Sequence, residues 1–268
     1  MLIDAYGRTV NYLRISITDR CDLRCTYCIP KGFHEFEKPE HWLSFDEIER
    51  VVRQFALMGT RHFRLTGGEP LLRKGIVKLV ARLKRIEGVE DLSLSTNATQ
   101  LQHYAHDLRS AGLDRLNVSL DSLSQHGIEQ ITGFDAKAKV MAGLQAASEA
   151  GFARTKINMV PLQGINDSEI DAMVDFCIQH QFILRIIELM PMGATAQQCQ
   201  YLDLQPIISR ISQQYALIPS QQVYGGGPAR YWQSQDGSFS MGYITPMSQH
   251  FCQTCNRVRM AVDGTLYM

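Results

Sequence analysis

Short alternating runs of apolar and polar residues recur along this chain, and most are followed by a stretch with helical spacing. The first run, "YLRISIT" at 12–18, reads as a strand. The stretch "LSFDEIERVVRQFALMG" then reads as a helix: Ser44 and Glu47 form a capping box, Ile48, Val51, Val52 and Phe55 make an apolar stripe, and Gly59 stops it. Further strands are expected at 62–67, 91–97, 114–121, 154–160 and 183–189. Helices are expected over about 74–86, about 101–111, up to about 150, from Asn166–Asp167 onward and over about 203–214. Six strand-then-helix units at this spacing predict an α/β fold, a partial (βα)6 TIM-type barrel over 1–215 with right-handed crossovers. From about 220 the texture shifts to short runs between glycine turns ("VYGGGPARYW", "DGSFSMGYI"), which predicts an antiparallel β extension over 216–268.

Strand side chains alternate between faces, so each run divides into two sets. One is apolar: Leu13, Ile15 and Ile17; Phe63 and Leu65; Leu92 and Leu94; Leu116, Val118 and Leu120; Ile157 and Met159. The other is polar: Arg14, Ser16 and Thr18; Arg64 and Thr66; Ser93, Ser95 and Asn97; Asn117, Ser119 and Asp121; Lys156 and Asn158. Helices around a parallel barrel need the apolar face, so the polar set is expected to point inward. Most small barrels fill their interior with branched aliphatic residues. A polar interior therefore predicts a lumen that holds a ligand. The competing arrangement is an open sheet with its polar face in solvent, but parallel sheets normally bury both faces. The sixth run fits less well, because Arg185 and Glu188 fall on opposite faces.

The 268 residues are 45% hydrophobic, enough for one large core. Lys plus Arg and Asp plus Glu number 27 each, so no global field draws the chain to nucleic acid or an anionic membrane. Any basic site is local. No apolar run has the length of a membrane span, and the N-terminal stretch lacks the apolar region of a secretory signal. A cytoplasmic location is expected, where seven cysteines point to metal or catalysis rather than to disulfides. Cys177 shares helical spacing with Met173 and Val174 and is expected to be core. Cys199 has no evident role.

Three cysteines crowd into "TDRCDLRCTYCIP" with C-x3-C-x2-C spacing, as Cys21, Cys25 and Cys28. Structural zinc wants four protein ligands, whereas a [4Fe–4S] cluster can take three and keep one iron open. The loop follows the first strand, at the end where barrel enzymes place their chemistry. In "LTGGEPLLR", two glycines let the backbone approach a ligand closely, and Glu69 offers an acidic partner for an ammonium. With Tyr27 before Cys28, the combination resembles the radical S-adenosylmethionine (SAM) superfamily. The resemblance implies that the open iron chelates SAM and that Tyr27, Gly68, Glu69, Ser119 and Met190 bind it, Met190 against the adenine.

A second pair, Cys252 and Cys255 in "FCQTCNRVR", narrows the likeness. With "LRISITDRCDLRCTYC", "KINMVPLQGINDSE", "RIIELMPMG" and "GGGPARYW", the chain resembles the GTP 3′,8-cyclases of molybdenum cofactor biosynthesis nearly end to end. In that family a second [4Fe–4S] cluster has three cysteine ligands and meets the guanine of GTP. The strand "CNRVR" puts Arg257 and Arg259 on one face, where they are either a solvated pair or bridged by an anion. The inward cations Arg14, Arg64 and Lys156 favour the anion, since unpaired buried charge is costly. The resemblance assigns Arg14, Arg64, Lys156, Arg257 and Arg259 to GTP, with Ser95 as a hydroxyl contact. Alternation also favours Ser95 over Thr96, which shares the outward face with Leu92 and Leu94. Gly67, Asn97, Asn158 and Arg185 complete the candidate set. The family's Thr-Thr-Asn-Gly is Ser-Thr-Asn-Ala here, which keeps a hydroxyl.

The activity so implied is reduction of SAM to methionine and a 5′-deoxyadenosyl radical, which takes the ribose C3′ hydrogen of GTP. C3′ then joins guanine C8, and the product is 3′,8-cyclo-7,8-dihydro-GTP. An electron donor, a downstream cyclic pyranopterin monophosphate synthase and a homodimer are the implied partners. Two rival readings exist. A radical SAM enzyme with an auxiliary cluster acting on a peptide would want a wide groove rather than converging cations. A non-catalytic iron–sulfur or zinc scaffold would leave "TGGEP" idle and cleave no SAM. The family's third auxiliary cysteine would fall just past Met268, so a C-terminally truncated chain that holds the second cluster poorly is expected.

Overall fold

Strands β1 (Tyr12–Ser16), β2 (His62–Thr66), β3 (Asp91–Thr96), β4 (Arg115–Ser119), β5 (Lys156–Met159) and β6 (Ile183–Ile187) pair in chain order, all parallel. The protein is seen in a computed structural model that describes residues 1–29, 32–191, 196–197, 199–222, 224–249 and 255–267. Between the strands run α1 (Phe45–Leu57), α2 (Ile76–Lys84), α3 (Leu101–Ser110), α4 (Gln125–Thr132), α5 (Lys137–Glu149) and α6 (Ile170–Gln179). After β6 comes α7 (Leu204–Gln214). The partial barrel read from the alternation is present, with element ends shifted by a few residues. Its helical stretch before 150 is two helices, because Gly133 turns left-handed (φ 76°) and caps α4. The α1 capping box forms as expected: the Glu47 N–H donates to Ser44 Oγ, and the Ser44 N–H donates back to Glu47 Oε2.

The alternation sorts the faces as expected. Leu13, Ile15, Phe63, Leu65, Leu92, Leu94, Val118, Ile157 and Met159 are fully buried, and they share one core with the helical stripes. Those stripes include Ile48 and Val52 of α1, Leu79 and Leu83 of α2, Leu101 and Leu108 of α3, and Met173 and Cys177 of α6. Cys177 is therefore the small core residue its spacing suggested.

The C-terminal strands divide between the two edges. Strand β9 (Ser240–Ile244) lies parallel to β6, with β8 (Arg230–Gln233) and β7 (Ile218–Ser220) antiparallel beyond it. At the opposite edge β10 (Arg257–Met260) lies parallel to β1, and β11 (Leu266–Tyr267) closes antiparallel on β10. The expected antiparallel extension is thus antiparallel only within its hairpins. The reason is burial: Met241, Tyr243, Val258 and Met260 enter the same core as the barrel strands, and their backbones satisfy both open edges of the parallel sheet.

Gly143 of α5 marks a close approach to the start of α3, because a Cβ there would lie 2.3 Å from the Ala98 carbonyl oxygen. Gly143→Ala is expected to cost about 1–3 kcal/mol through overpacking, outweighing its gain in helix propensity. Denaturant unfolding checks this, and a more stable variant would show that the α3–α5 interface yields.

Candidate active site

Two loops meet at the C-terminal ends of β1 and β2. The cysteine loop leaves β1 and turns on Thr18, whose Oγ1 accepts the Arg20 N–H at 3.1 Å. The Gly-Gly loop leaves β2 and lies along it: the Gly68 N–H donates to the Thr18 carbonyl and the Glu69 N–H to the Arg20 carbonyl. Side chains at Gly67 and Gly68 would fall 2.2 Å from the Thr18 oxygen and 2.1 Å from the Arg20 oxygen. The missing side chains of these two glycines, read from the sequence as room for a ligand, also let the cysteine loop pack this close.

Glu69, expected to face an ammonium, is 1% exposed, and its carboxylate also serves the protein's own loops. It accepts the Leu71 N–H on Oε1 and the Asn97 N–H on Oε2, and the Thr96 hydroxyl also donates to Oε1, at 2.8 Å. Burial, against these donors, lifts its pKa to about 7. Glu69 is a joint between the loops after β2 and β3. The outward orientation read for Thr96 has its use here.

The next contacts fix the cysteine loop itself. Asn97 Nδ2 donates to Asp22 Oδ1 at 2.8 Å and lies 3.8 Å from Cys21 Sγ, while the Thr99 hydroxyl donates to Asp22 Oδ2. Tyr27 donates to Asp121 Oδ2 at 2.5 Å, and Asp121 also accepts the Val160 N–H. The Tyr27 phenol is thus tied to the end of β4. Burial lifts the Asp121 carboxyl to about 6 in spite of these donors. Ser119 is exposed at the end of β4, and Met190 is 39% exposed after β6.

Cys21 and Cys25 are half-buried and Cys28 is exposed, all three as free thiols. Burial pushes Cys21 up to about 11 and raises Cys25 and Cys28 as well. Three soft donors on one loop, whose thiolates burial disfavours, suit a cluster whose irons supply the missing positive charge. The Leu23 N–H at 3.4 Å from Cys21 Sγ is a backbone donor of the kind that tunes such sulfurs. No three His, Cys, Asp or Glu side chains among the described residues are arranged to hold a metal ion directly. The fit therefore rests on the donor chemistry of the loop. Cys252 lies outside the described residues. Cys255 is half-buried just before β10; burial opposes its thiolate, yet the Arg257 N–H and guanidinium keep the thiol below its usual range.

Below the loops, the inward faces carry cations in register. Arg259 of β10, Arg14 of β1 and Arg64 of β2 are direct neighbours across parallel strands, and Arg64 in turn stands beside Ser93. Burial, together with Arg64, Arg259 and Arg257, depresses Arg14 to about 9. Lys156 falls to about 6 through burial and then Arg185, Arg115 and Arg64, and its Nζ donates to the Tyr224 carbonyl. Arg185 donates to Asn158 Oδ1 at 2.8 Å and Asn117 Oδ1 at 2.7 Å, so it belongs to the inward set. The misfit of the sixth run disappears because β6 ends at Ile187. Glu188 lies beyond it and accepts the Met247 and Ser248 N–H groups. Ser95 is half-buried in register with Asn117, as alternation required.

Several groups of this site escaped the sequence reading. Asp91 grips Arg115 through both carboxylate oxygens, and Tyr12 and Tyr231 stand among the arginines. Tyr12 had a usable signal, its place two residues before Arg14 on the same face.

Glu69→Gln is expected to lose about 1–3 kcal/mol, because both carboxylate oxygens accept backbone N–H groups and an amide nitrogen cannot. An unchanged denaturation midpoint would mean that Glu69 does not join the loops.

The profile of the Radical SAM superfamily matches residues 15–177, and that of Molybdenum Cofactor Synthesis C matches residues 182–268. A GTP 3′,8-cyclase of Pseudomonas putida is 41% identical over 271 residues, covering 100% of this chain and 80% of the relative. One from Pelotomaculum thermopropionicum is 43% identical over 267 residues, covering 98% and 82%. Among solved structures, Streptococcus suis SuiB bound to precursor peptide SuiA superposes with a TM-score of 0.69 at 17% identity. That match covers 97% of this chain and 59% of SuiB, a likeness of fold. On sequence, and with its cysteine loop seated on a radical SAM fold, the chain belongs to the GTP 3′,8-cyclase family of the radical SAM superfamily.

Proposed function

We propose that this protein is a radical SAM lyase that converts GTP to (8S)-3′,8-cyclo-7,8-dihydroguanosine 5′-triphosphate, the first step of molybdenum cofactor biosynthesis. One observation carries the substrate reading beyond family membership. Arg259, Arg14 and Arg64 stand side by side on three strands, and the ion pairs among the described residues leave Arg14, Arg64 and Arg185 without a carboxylate. Like charges facing each other across strands are destabilising, and buried cations without counter-charge more so. A triphosphate supplies the missing charge. A peptide substrate gives these cations no comparable partner.

Cys21, Cys25 and Cys28 would hold a [4Fe–4S] cluster, which when bound supplies the electron for SAM cleavage and hence the radical chemistry at the ribose. The chain's own residues bind, orient and shield. Tyr27 and Asp121 hold the cysteine loop against β4, and the Gly68 backbone and exposed Ser119 border the space for SAM, with Met190 at its adenine. Ser95 and the asparagines of the inward face orient the nucleoside, while Arg14, Arg64, Lys156, Arg185 and Arg259 hold the phosphates. Arg257 serves both the nucleotide and the Cys255 sulfur. Cys255, with Cys252 outside the described residues, would hold a second [4Fe–4S] cluster on the nucleotide's side of the lumen, and an electron donor, a cyclic pyranopterin monophosphate synthase and a second copy of the chain would be the protein's partners in the cytoplasm. No helix among the described residues is long and apolar enough to cross a membrane.

After anaerobic reconstitution, wild type should cleave SAM in a GTP-dependent reaction. Changing Cys21, Cys25 and Cys28 together to Ser should abolish 5′-deoxyadenosine formation and leave GTP binding intact. Undiminished SAM cleavage in that variant would overturn the reading.

Lys156 adds a proton-linked outcome. Its folded pKa of about 6 lies below the ordinary lysine value of 10.5, so at pH 7.5 the free protein holds it neutral. The unfolded chain binds that proton, so this residue's contribution to stability rises with pH between those values. Bound phosphate restores the ammonium, and GTP binding at pH 7.5 should take up close to one proton. Calorimetry in buffers of different ionisation enthalpy checks this, and the same uptake in Lys156→Met would place the proton elsewhere.

A further inference from the structure

Most hydrogen-bond acceptors that the described residues set beside the inward cations are already engaged. Asp91 holds Arg115, the Asn117 and Asn158 side-chain oxygens hold Arg185, the Tyr224 carbonyl holds Lys156, and Ser93 Oγ takes the Arg64 Nε–H at 3.3 Å. Two buried donors are left over on one strand face: Tyr12 Oη and Arg14 Nε have no hydrogen-bond partner among the described residues. Tyr12 is 2% exposed. Its ring is clamped, with the Arg64 guanidinium 5.3 Å from its centroid and the His62 ring edge-on at 6.2 Å. Its phenol lies within electrostatic reach of Arg14, Arg115 and Arg185.

A buried phenol without a partner costs about 1–3 kcal/mol, and the charged groups within its electrostatic reach, Arg14, Arg115 and Arg185, are themselves donors. The group that satisfies both orphans must bring acceptor oxygens and negative charge together. We propose that Tyr12 is a substrate contact whose hydroxyl donates, beside Arg14 Nε, to a polyphosphate oxygen of the bound nucleotide. This rests on the GTP reading and deepens it. The arginines supply charge to any polyanion, while a clamped O–H donor fixes where one oxygen sits. The stacked position under Arg64 holds that donor in place before the ligand arrives.

Tyr12→Phe tests this, because it keeps the ring and its stacking and removes only the hydroxyl. The variant and wild type, both reconstituted, are compared for binding of GTP, guanosine and inorganic tripolyphosphate, for iron content and for unfolding without nucleotide. Expected are about tenfold or greater losses for GTP and tripolyphosphate, the scale of a hydrogen bond to a charged group, with guanosine unchanged. Iron content should be equal, and the nucleotide-free variant should be at least as stable as wild type, since an unpartnered hydroxyl has gone. The KM for GTP should rise while kcat holds. Undiminished binding of GTP and tripolyphosphate, or equal losses for GTP and guanosine, overturns the contact. A less stable variant with wild-type affinities would make Tyr12 structural and overturn it too. Tyr12-dependent binding of tripolyphosphate by a protein that ignores GTP would uphold the contact and overturn the GTP reading.

Discussion

A row of like charges in register is the constraint around which the rest of this protein is arranged. Arg259, Arg14 and Arg64 occupy matching positions on adjacent parallel strands, roughly 5 Å apart at the backbone. Nothing in a sheet by itself favours that arrangement, since facing like charges are destabilising. It persists because the outward faces of the same strands, Leu13, Ile15, Phe63 and Leu65, are locked into the core. A slip of one residue would turn those apolar side chains inward. The core therefore holds the cations in place, and a bound polyanion would resolve the repulsion that the core imposes.

The ends of the strands add a second layer of constraint. Cysteine-bearing and glycine-bearing loops are separate in sequence, yet they share backbone hydrogen bonds, and Glu69 ties both to the loop after β3. Tyr27 extends the same frame to β4 through Asp121. The thiols are thus presented by four consecutive strands rather than by one flexible loop. A frame of this kind fixes reacting groups before a ligand arrives, which is what preorganised chemistry requires.

The C-terminal segment joins this frame from both sides. Its first part extends the sheet beyond β6 and brings Tyr231 to Arg185, while its last part returns to β1 and brings Arg257 and Arg259 beside Arg14. Residues far apart in the chain therefore face one lumen. The parallel pairing that makes this so leaves Met241 and Val258 in the barrel's own core.

Local chemistry was readable from the chain: alternation assigned the faces of strands one to five, the Ser44–Glu47 box and Gly59 bounded α1, and the C-x3-C-x2-C loop with its Gly-Gly partner identified the chemistry. These features depend on neighbours within a few residues, and sequence spacing encodes such neighbours directly. Long-range decisions needed the tertiary structure. Pairing partners chose β10 for the edge beside β1, so Arg259 met Arg14. Burial made Glu69 a joint between loops, and the conflict between Arg185 and Glu188 disappeared because β6 ends at Ile187. Packing also left Tyr12 buried among arginines without a hydrogen-bond partner among the described residues. Spacing along a strand says which face a side chain takes, whereas only the packed sheet determines what stands opposite it and which hydrogen bonds are already taken.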